Sequence, residues 1–181
     1  GSAPRDTTHI SVVDAQGNCV ALTNSLGNSS GVITPGLGFM YNNSMANFYP
    51  LPGHVNSMAE SVKHFIAHFG LDTMKEGDAY ITNDPWMGTG HLNDFVITTP
   101  CFRNGKLVAL FSCTSHLMDI GGIGFGPDAT DVFMEGLYIP MLKLFDQGKV
   151  NETLMSMIRA NTRLPVDTEG DVYSLAGCND V

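Results

Sequence analysis

His91, Asp94 and His116 are the residues of this chain whose types and spacing could do chemistry. Two imidazoles and a carboxylate form a donor set for a divalent ion such as zinc, manganese or iron. All three lie in residues 90–116, GHLNDFVITTPCFRNGKLVALFSCTSH. Two alternating runs, Phe95–Phe102 and Lys106–Cys113, flank Asn104-Gly105. Asn-Gly between such runs predicts a hairpin, because a two-residue type I′ turn needs positive φ at both central positions. If Arg103 pairs with Lys106, Asp94 faces Ser115 and Asn93 faces His116, and the open end of the hairpin gathers His91, Asp94 and His116. Strict alternation then leaves Asp94 and His116 on opposite faces. A bulge or a loop at one strand end must turn one of them.

The elements that would hold this hairpin can be read along the chain. His9–Asp14 and Cys19–Ser25 alternate around Ala15-Gln16-Gly17-Asn18 and predict a second hairpin. A polar, glycine-rich loop is expected from Gly27 to Gly38, then a short strand at Phe39–Tyr41. Ser57 and Glu60 have capping-box spacing, and Met58, Val62, Phe65, Ile66 and Phe69 fall on one helical face that stops at Gly70. His64 and His68 are four apart on that helix with no third ligand near them in sequence, so a solvated or partly packed face is expected for them. Asp78–Thr82 reads as a strand, followed by the loop Asn83–Gly90, which is either a plain turn or the floor of a pocket ahead of His91. The glycine-rich run 119–127 implies unusual backbone angles, room for a ligand or a mobile lid. Leu137–Phe145 should be extended and broken at Pro140. Asn151 should cap a helix reaching Asn161, Pro165 should end it, and the tail to Val181 shows little apolar periodicity.

Composition narrows the function classes. A net charge of −9 without a basic cluster excludes a nucleic-acid or anionic-membrane surface. No apolar run is long enough to span a bilayer and no signal peptide is visible, which points to the cytoplasm. Gly1-Ser2 resembles the remnant of a cleaved tag. Cys19, Cys101, Cys113 and Cys178 show no metal-finger spacing. The first three lie in apolar strand runs and are expected to be small buried side chains.

Two family resemblances follow from longer stretches. Residues 6–59, including TTHISVVDAQGNCVALTNSLGNSSG, resemble the start of the small subunit of γ-glutamyltranspeptidases. Residues 54–172 resemble the hydantoinase B/oxoprolinase family through GDAYITNDPWMGTGHLND, SHLMDIGG, PDATDVFMEGLYIPMLKLF and IRANTRLP. The second resemblance implies part of an ATP-dependent system acting on a cyclic amide or lactam, or a related ketone carboxylase. ATP would be used by a separate hydantoinase A-like ATPase subunit. It also implies that His91, Asp94 and His116 hold the metal. The family's further carboxylate ligand comes from an upstream segment, for which Asp6 is the candidate. Asp119 is either a group that orients a ligand histidine or a turn residue. The first resemblance implies an N-terminal nucleophile hydrolase in which cleavage before Thr7 frees an amine to activate its own hydroxyl, supported by Ser25.

The expected fold is α+β, an antiparallel hairpin-rich sheet with two helices packed on one side. Residues 1–56 form a γ-glutamyltranspeptidase-like β segment and residues 57–181 a hydantoinase B/oxoprolinase-like segment, either separate or sharing one domain, in a fragment or a chimera. The leading function is a metal-binding part of a cyclic-amide hydrolase or ketone carboxylase. The rivals are a hydrolase using Thr7 and a non-catalytic assembly domain; oligomerisation stays open.

Overall fold

The computed structural model describes residues 57–124 and 128–179 with their side chains, and the strands at 6–14, 19–27, 29–33 and 40–42 by their backbone pairing. In chain order the elements are β1 (Asp6–Asp14), β2 (Cys19–Gly27), β3 (Ser29–Ile33), β4 (Met40–Asn42), α1 (Ser57–Phe69), β5 (Ala79–Thr82), β6 (Asp94–Arg103), β7 (Lys106–His116), β8 (Leu142–Asp146), β9 (Lys149–Val150), α2 (Glu152–Asn161) and α3 (Pro165–Cys178). Seven strands make one antiparallel sheet in the order β2-β1-β7-β6-β5-β8-β9, while β3 and β4 pair separately. The fold is α+β. Both predicted hairpins lie in the large sheet, and β7 runs between β1 and β6. The residues 15–18 expected to turn the first hairpin fall outside the described residues. The 27–38 segment, expected as loop, contains β3, which pairs with β4.

At the central hairpin, Asn104 and Gly105 take φ of 53° and 73°, as the type I′ turn demands. The expected register holds only next to the turn. Arg103 pairs with Lys106 and Phe102 with Leu107, but Cys101 pairs with Ala109. Val108 is therefore an extra residue, and this bulge shifts everything beyond it by one. Asp94 consequently faces His116, not Ser115.

Alternation along β5, β6 and β7 gives the sheet two apolar faces. Ala79, Ile81, Phe95, Ile97 and Cys113 pack with Leu154, Met155 and Ile158 of α2 and Val172 and Leu175 of α3. Tyr80, Val96 and Leu110 pack on the opposite face with Met58, Val62 and Phe65 of α1. Two helices do pack on one side, and they are α2 and α3; α1 covers the other. Full burial of each such side chain is worth about 1.5–3 kcal/mol, so the helices fix the sheet that carries the site.

Local signals explain the helices. Asn151 caps α2, its side chain accepting from Leu154 N. Helix α1 ends at Phe69, with Gly70 N bonded to Ile66 O. Its expected capping box does not form among the described residues: the Glu60 carboxylate pairs with Lys63 Nζ at 2.6 Å, and Ser57 Oγ finds no hydrogen-bond partner there. Helix α2 ends at Asn161, as expected, but Pro165 is also the start of a helix that the sequence did not reveal. It opens α3 in the first turn, where a missing N–H costs nothing. The buried face of α3 is Thr168, Val172 and Leu175, a helical spacing that a threonine disguises in the sequence. Cys113 is buried, bonds Leu175 O at 3.2 Å, and burial pushes its thiol up to about 12. Cys101 is only half-buried, and the Cys19 side chain lies outside the described residues. No helix among the described residues is long and apolar enough to cross a membrane.

Candidate metal site

The open end of the β6–β7 hairpin is tied by backbone before any side chain acts. Leu117 N donates to Asn93 O at 2.8 Å, and Asn93 Nδ2 donates to Leu117 O at 2.8 Å. Asp94 N donates to His91 O at 3.1 Å, closing a turn that folds His91 back over the start of β6. Asp94 and His116 occupy directly paired positions, whose side chains share a face. That face is the one covered by α1, since Val96 follows Asp94 on it.

The three predicted ligands meet here. His91 Nε2 lies 3.4 Å from Asp94 Oδ2, and His116 Nδ1 contacts Asp94 Oδ1. The imidazole rings stack with centroids 4.9 Å apart and planes 16° from parallel. One donor atom from each residue lies within 4.8 Å of the others. Donors around a four-coordinate ion at about 2.0–2.2 Å stand roughly 3.4 Å apart, so modest rotation of the rings suits a shared ion. The donor set, two borderline nitrogens and one hard oxygen, fits a first-row divalent ion. Asp94 is 2% exposed while both histidines are partly open to solvent. A buried anion with two half-open imidazoles over it leaves one side for water or substrate.

Electrostatics follow from the packing. Burial alone would raise the Asp94 carboxyl, but the His116 hydrogen bond and charge, then His91 and the Thr89 hydroxyl, outweigh it and hold it below the usual carboxylate range. The Asp94 hydrogen bond lifts His116 above the ordinary imidazole value, against the opposing effect of burial.

Four residues that the sequence did not mark as site residues position the trio. Thr89 Oγ1 donates to Asp94 Oδ2 at 2.8 Å. Asn83, fully buried, donates to Leu92 O at 2.7 Å and Leu137 O at 2.8 Å, while its Oδ1 accepts from Ile139 N at 2.6 Å. Glu135 Oε2 accepts from Leu92 N at 2.8 Å. Asn93 is the fourth, through the Leu117 tie. Only Thr89 and Asn93 carried a sequence signal, by adjacency to the His-x-x-Asp run. Asn83, through Leu137 and Ile139, and Glu135, through Leu92, act across tens of residues.

The remaining predicted site residues sit elsewhere or lie partly outside the description. Asp119 carries the glycine-rich loop: its carboxylate accepts from Gly121 N at 3.1 Å, Leu164 N at 2.9 Å, Arg163 N, and Arg163 Nη1 at 3.0 Å. These contacts hold its carboxyl below the usual range although burial opposes them. Thr7 and Ser25 are direct partners across β1 and β2, and Asp6 pairs with Gly27. Their side chains fall outside the described residues. His64 is half-buried and His68 exposed, as expected for a partly packed face.

Comparison with known proteins adds the family context. The hydantoinase B/oxoprolinase family model matches residues 40–181, and the γ-glutamyltranspeptidase model matches residues 2–67. Caprolactamase subunit beta from Pseudomonas jessenii is 36% identical over 134 residues, covering 72% of this chain and 23% of that protein. 5-Oxoprolinase 1 from Arabidopsis thaliana is 33% identical over 111 residues, 60% of this chain and 9% of that protein. The crystal structure of the ATP-dependent caprolactamase from Pseudomonas jessenii superposes with a TM-score of 0.71 at 27% identity, over 96% of this chain and 26% of that one. The chain thus spans about a quarter or less of the length of these relatives. With strands β5 to β9 and the His-x-x-Asp and His segments all inside residues 40–181, the chain belongs to the hydantoinase B/oxoprolinase family.

Proposed function

We propose that this chain is a metal-binding part of an ATP-dependent cyclic-amide hydrolase of the hydantoinase or 5-oxoprolinase type, or of a related ketone carboxylase. The observation that carries the reading is the meeting of His91, Asp94 and His116 at one hairpin end. A bound divalent ion would supply Lewis-acid polarisation of a lactam or acyl-phosphate carbonyl, or a water acidic enough to attack it. The chain's own part is to hold that ion's ligands. Asp94 is the buried anionic anchor, kept ionised by its two imidazoles and aimed by Thr89. His91 and His116 form the half-open rim. Asn83, Asn93 and Glu135 fix the backbone on either side, so the donors need little reorganisation. In this reading ATP is handled by a hydantoinase A-like partner subunit, Asp6 is the candidate for a further ligand, and Asp119 ties its own glycine-rich loop to Arg163 and Leu164.

Calorimetric titration with Mn2+ or Zn2+ should show an equivalent that the His91→Ala/His116→Ala double variant abolishes. Unchanged binding in that variant overturns the reading.

A second reading rests on the γ-glutamyltranspeptidase match over residues 2–67 and on the facing of Thr7 and Ser25 across β1 and β2. In it, cleavage before Thr7 creates an N-terminal nucleophile with Ser25 in support. Intact-mass measurement decides: a species beginning at Thr7 supports it. A stable full-length chain without γ-glutamyl-anilide cleavage removes it.

A further inference from the structure

The pair His64 and His68, which no partner in the sequence explained, acquires surroundings in the fold. Both residues line a cleft of about 370 Å3 between α1 and the loop after β5. Asp84 and Met87, from the loop after β5, also line it, together with Pro140 and Met141. Residues four apart on a helix stand one above the other on the same face, about 5–6 Å apart at Cβ. This is the spacing by which two helix-borne histidines share one ion. Asp84 is fixed in place: its Oδ1 accepts from Trp86 N at 2.8 Å and Met87 N at 3.2 Å, and its Oδ2 accepts from the Tyr138 hydroxyl. His64 and His68 therefore share a cleft with a pre-positioned anion and with Met87, a residue 39% exposed.

We propose that His64 and His68 bind a second divalent transition-metal ion, separate from the one assigned to His91, Asp94 and His116. Asp84 supplies the compensating negative wall. Two imidazoles as ligands select a borderline ion of the zinc, nickel or copper kind over magnesium or calcium, which prefer an all-oxygen shell. The flexible Met87 side chain adds a soft group that can close over the ion. The cleft is linked to the first site through one short loop: Asp84 and Met87 line the cleft, and Thr89, two residues on from Met87, holds Asp94.

The test is Ni2+ titration of the full chain by calorimetry, with Mg2+ as the control ion. Wild type should bind two equivalents of Ni2+, the His64→Ala and His68→Ala variants one each, and the His91→Ala/His116→Ala variant one. The site should not take Mg2+. Because His64 and His68 are not core residues, circular dichroism should be unchanged in their variants, and His64→Gln gives a second, milder replacement. Two equivalents persisting in the His64→Ala/His68→Ala double variant overturn the proposal, as does a single wild-type equivalent lost on changing His91 and His116. A single wild-type equivalent lost on changing His64 supports it, and removes the first site instead.

Discussion

Asp94 and His116 stand directly opposite one another on β6 and β7 because Val108, placed near the far end of the hairpin, is an extra residue in its strand. A slip of one position transfers every side chain to the other face. Without the bulge, the carboxylate and the imidazole would sit on opposite sides of a sheet. A valine far along the strand from the ligands therefore decides whether they meet.

Thr89 is the smallest lever on the site. Its hydroxyl donates to the carboxylate oxygen nearer His91. Removing a partner that orients a ligand costs roughly 10–100-fold in metal affinity. Thr89→Ala should weaken Mn2+ or Zn2+ binding by about that factor, and Thr89→Ser should restore most of it. Calorimetry on the three proteins distinguishes this from a packing effect, since serine lacks the methyl but keeps the hydroxyl.

Metal binding should be steeply pH-dependent. The His116 pKa is raised, first by the Asp94 hydrogen bond. In the metal-free protein the pair's contribution to stability is fully present below the ordinary imidazole value of about 6.5 and is lost as pH rises through the elevated one. An ion needs the neutral ring. Apparent affinity should therefore fall about tenfold per pH unit below the elevated value, with proton release detectable as a buffer-dependent heat. A flat affinity between pH 5.5 and 8, values chosen to bracket about 6.5, would contradict this.

Asp78 gives the opposite sign. It is fully buried, and although burial works to raise it, Lys143, the Gln147 amide, the Tyr80 hydroxyl and the Lys75 amide hold its carboxyl low. Its contribution is present above the unfolded carboxylate value of about 3.9 and is lost as pH falls through the depressed one. Asp78→Asn should cost on the order of 2–3 kcal/mol at neutral pH. The gap from wild type in denaturant midpoint should close below about pH 4.

Gly105 has φ of 73°, and a Cβ there would meet nothing within 4 Å. Gly105→Ala thus isolates the conformational cost, about 1 kcal/mol or slightly more. Urea unfolding should show that loss with an unchanged slope.

Much of the site was legible in the sequence because its cause is local. Asn104-Gly105 dictates the turn, and the turn dictates which residues reach the open end. The bulge was legible only as a requirement, since nothing in Leu107-Val108-Ala109 marks which residue is extra. The roles of Asn83 and Glu135 were not legible because they depend on partners remote in sequence, Leu137 and Ile139 for Asn83 and Leu92 for Glu135. Helix α3 was missed for a different reason. Pro165 signals a stop and a start equally well, and Thr168 occupies a core position usually filled by an apolar residue.

That helix supplies the last prediction. Leu175 is buried against the β6–β7 core, and Leu175→Ala should destabilise by about 2–4 kcal/mol. Thermal or urea unfolding checks it; a loss under about 0.5 kcal/mol, the size of an ordinary surface change, would mean that α3 is not docked.

The pairing of β1 with β7 bears on how one chain can carry two likenesses. Ladder bonds join main-chain atoms and are indifferent to side-chain identity. An edge hairpin of one ancestry can therefore be laid beside a sheet of another, provided that its length and face polarity agree. The candidate ligands His91, Asp94 and His116 all lie on the β6–β7 side of that pairing, so their meeting is set by the β6–β7 register and not by β1.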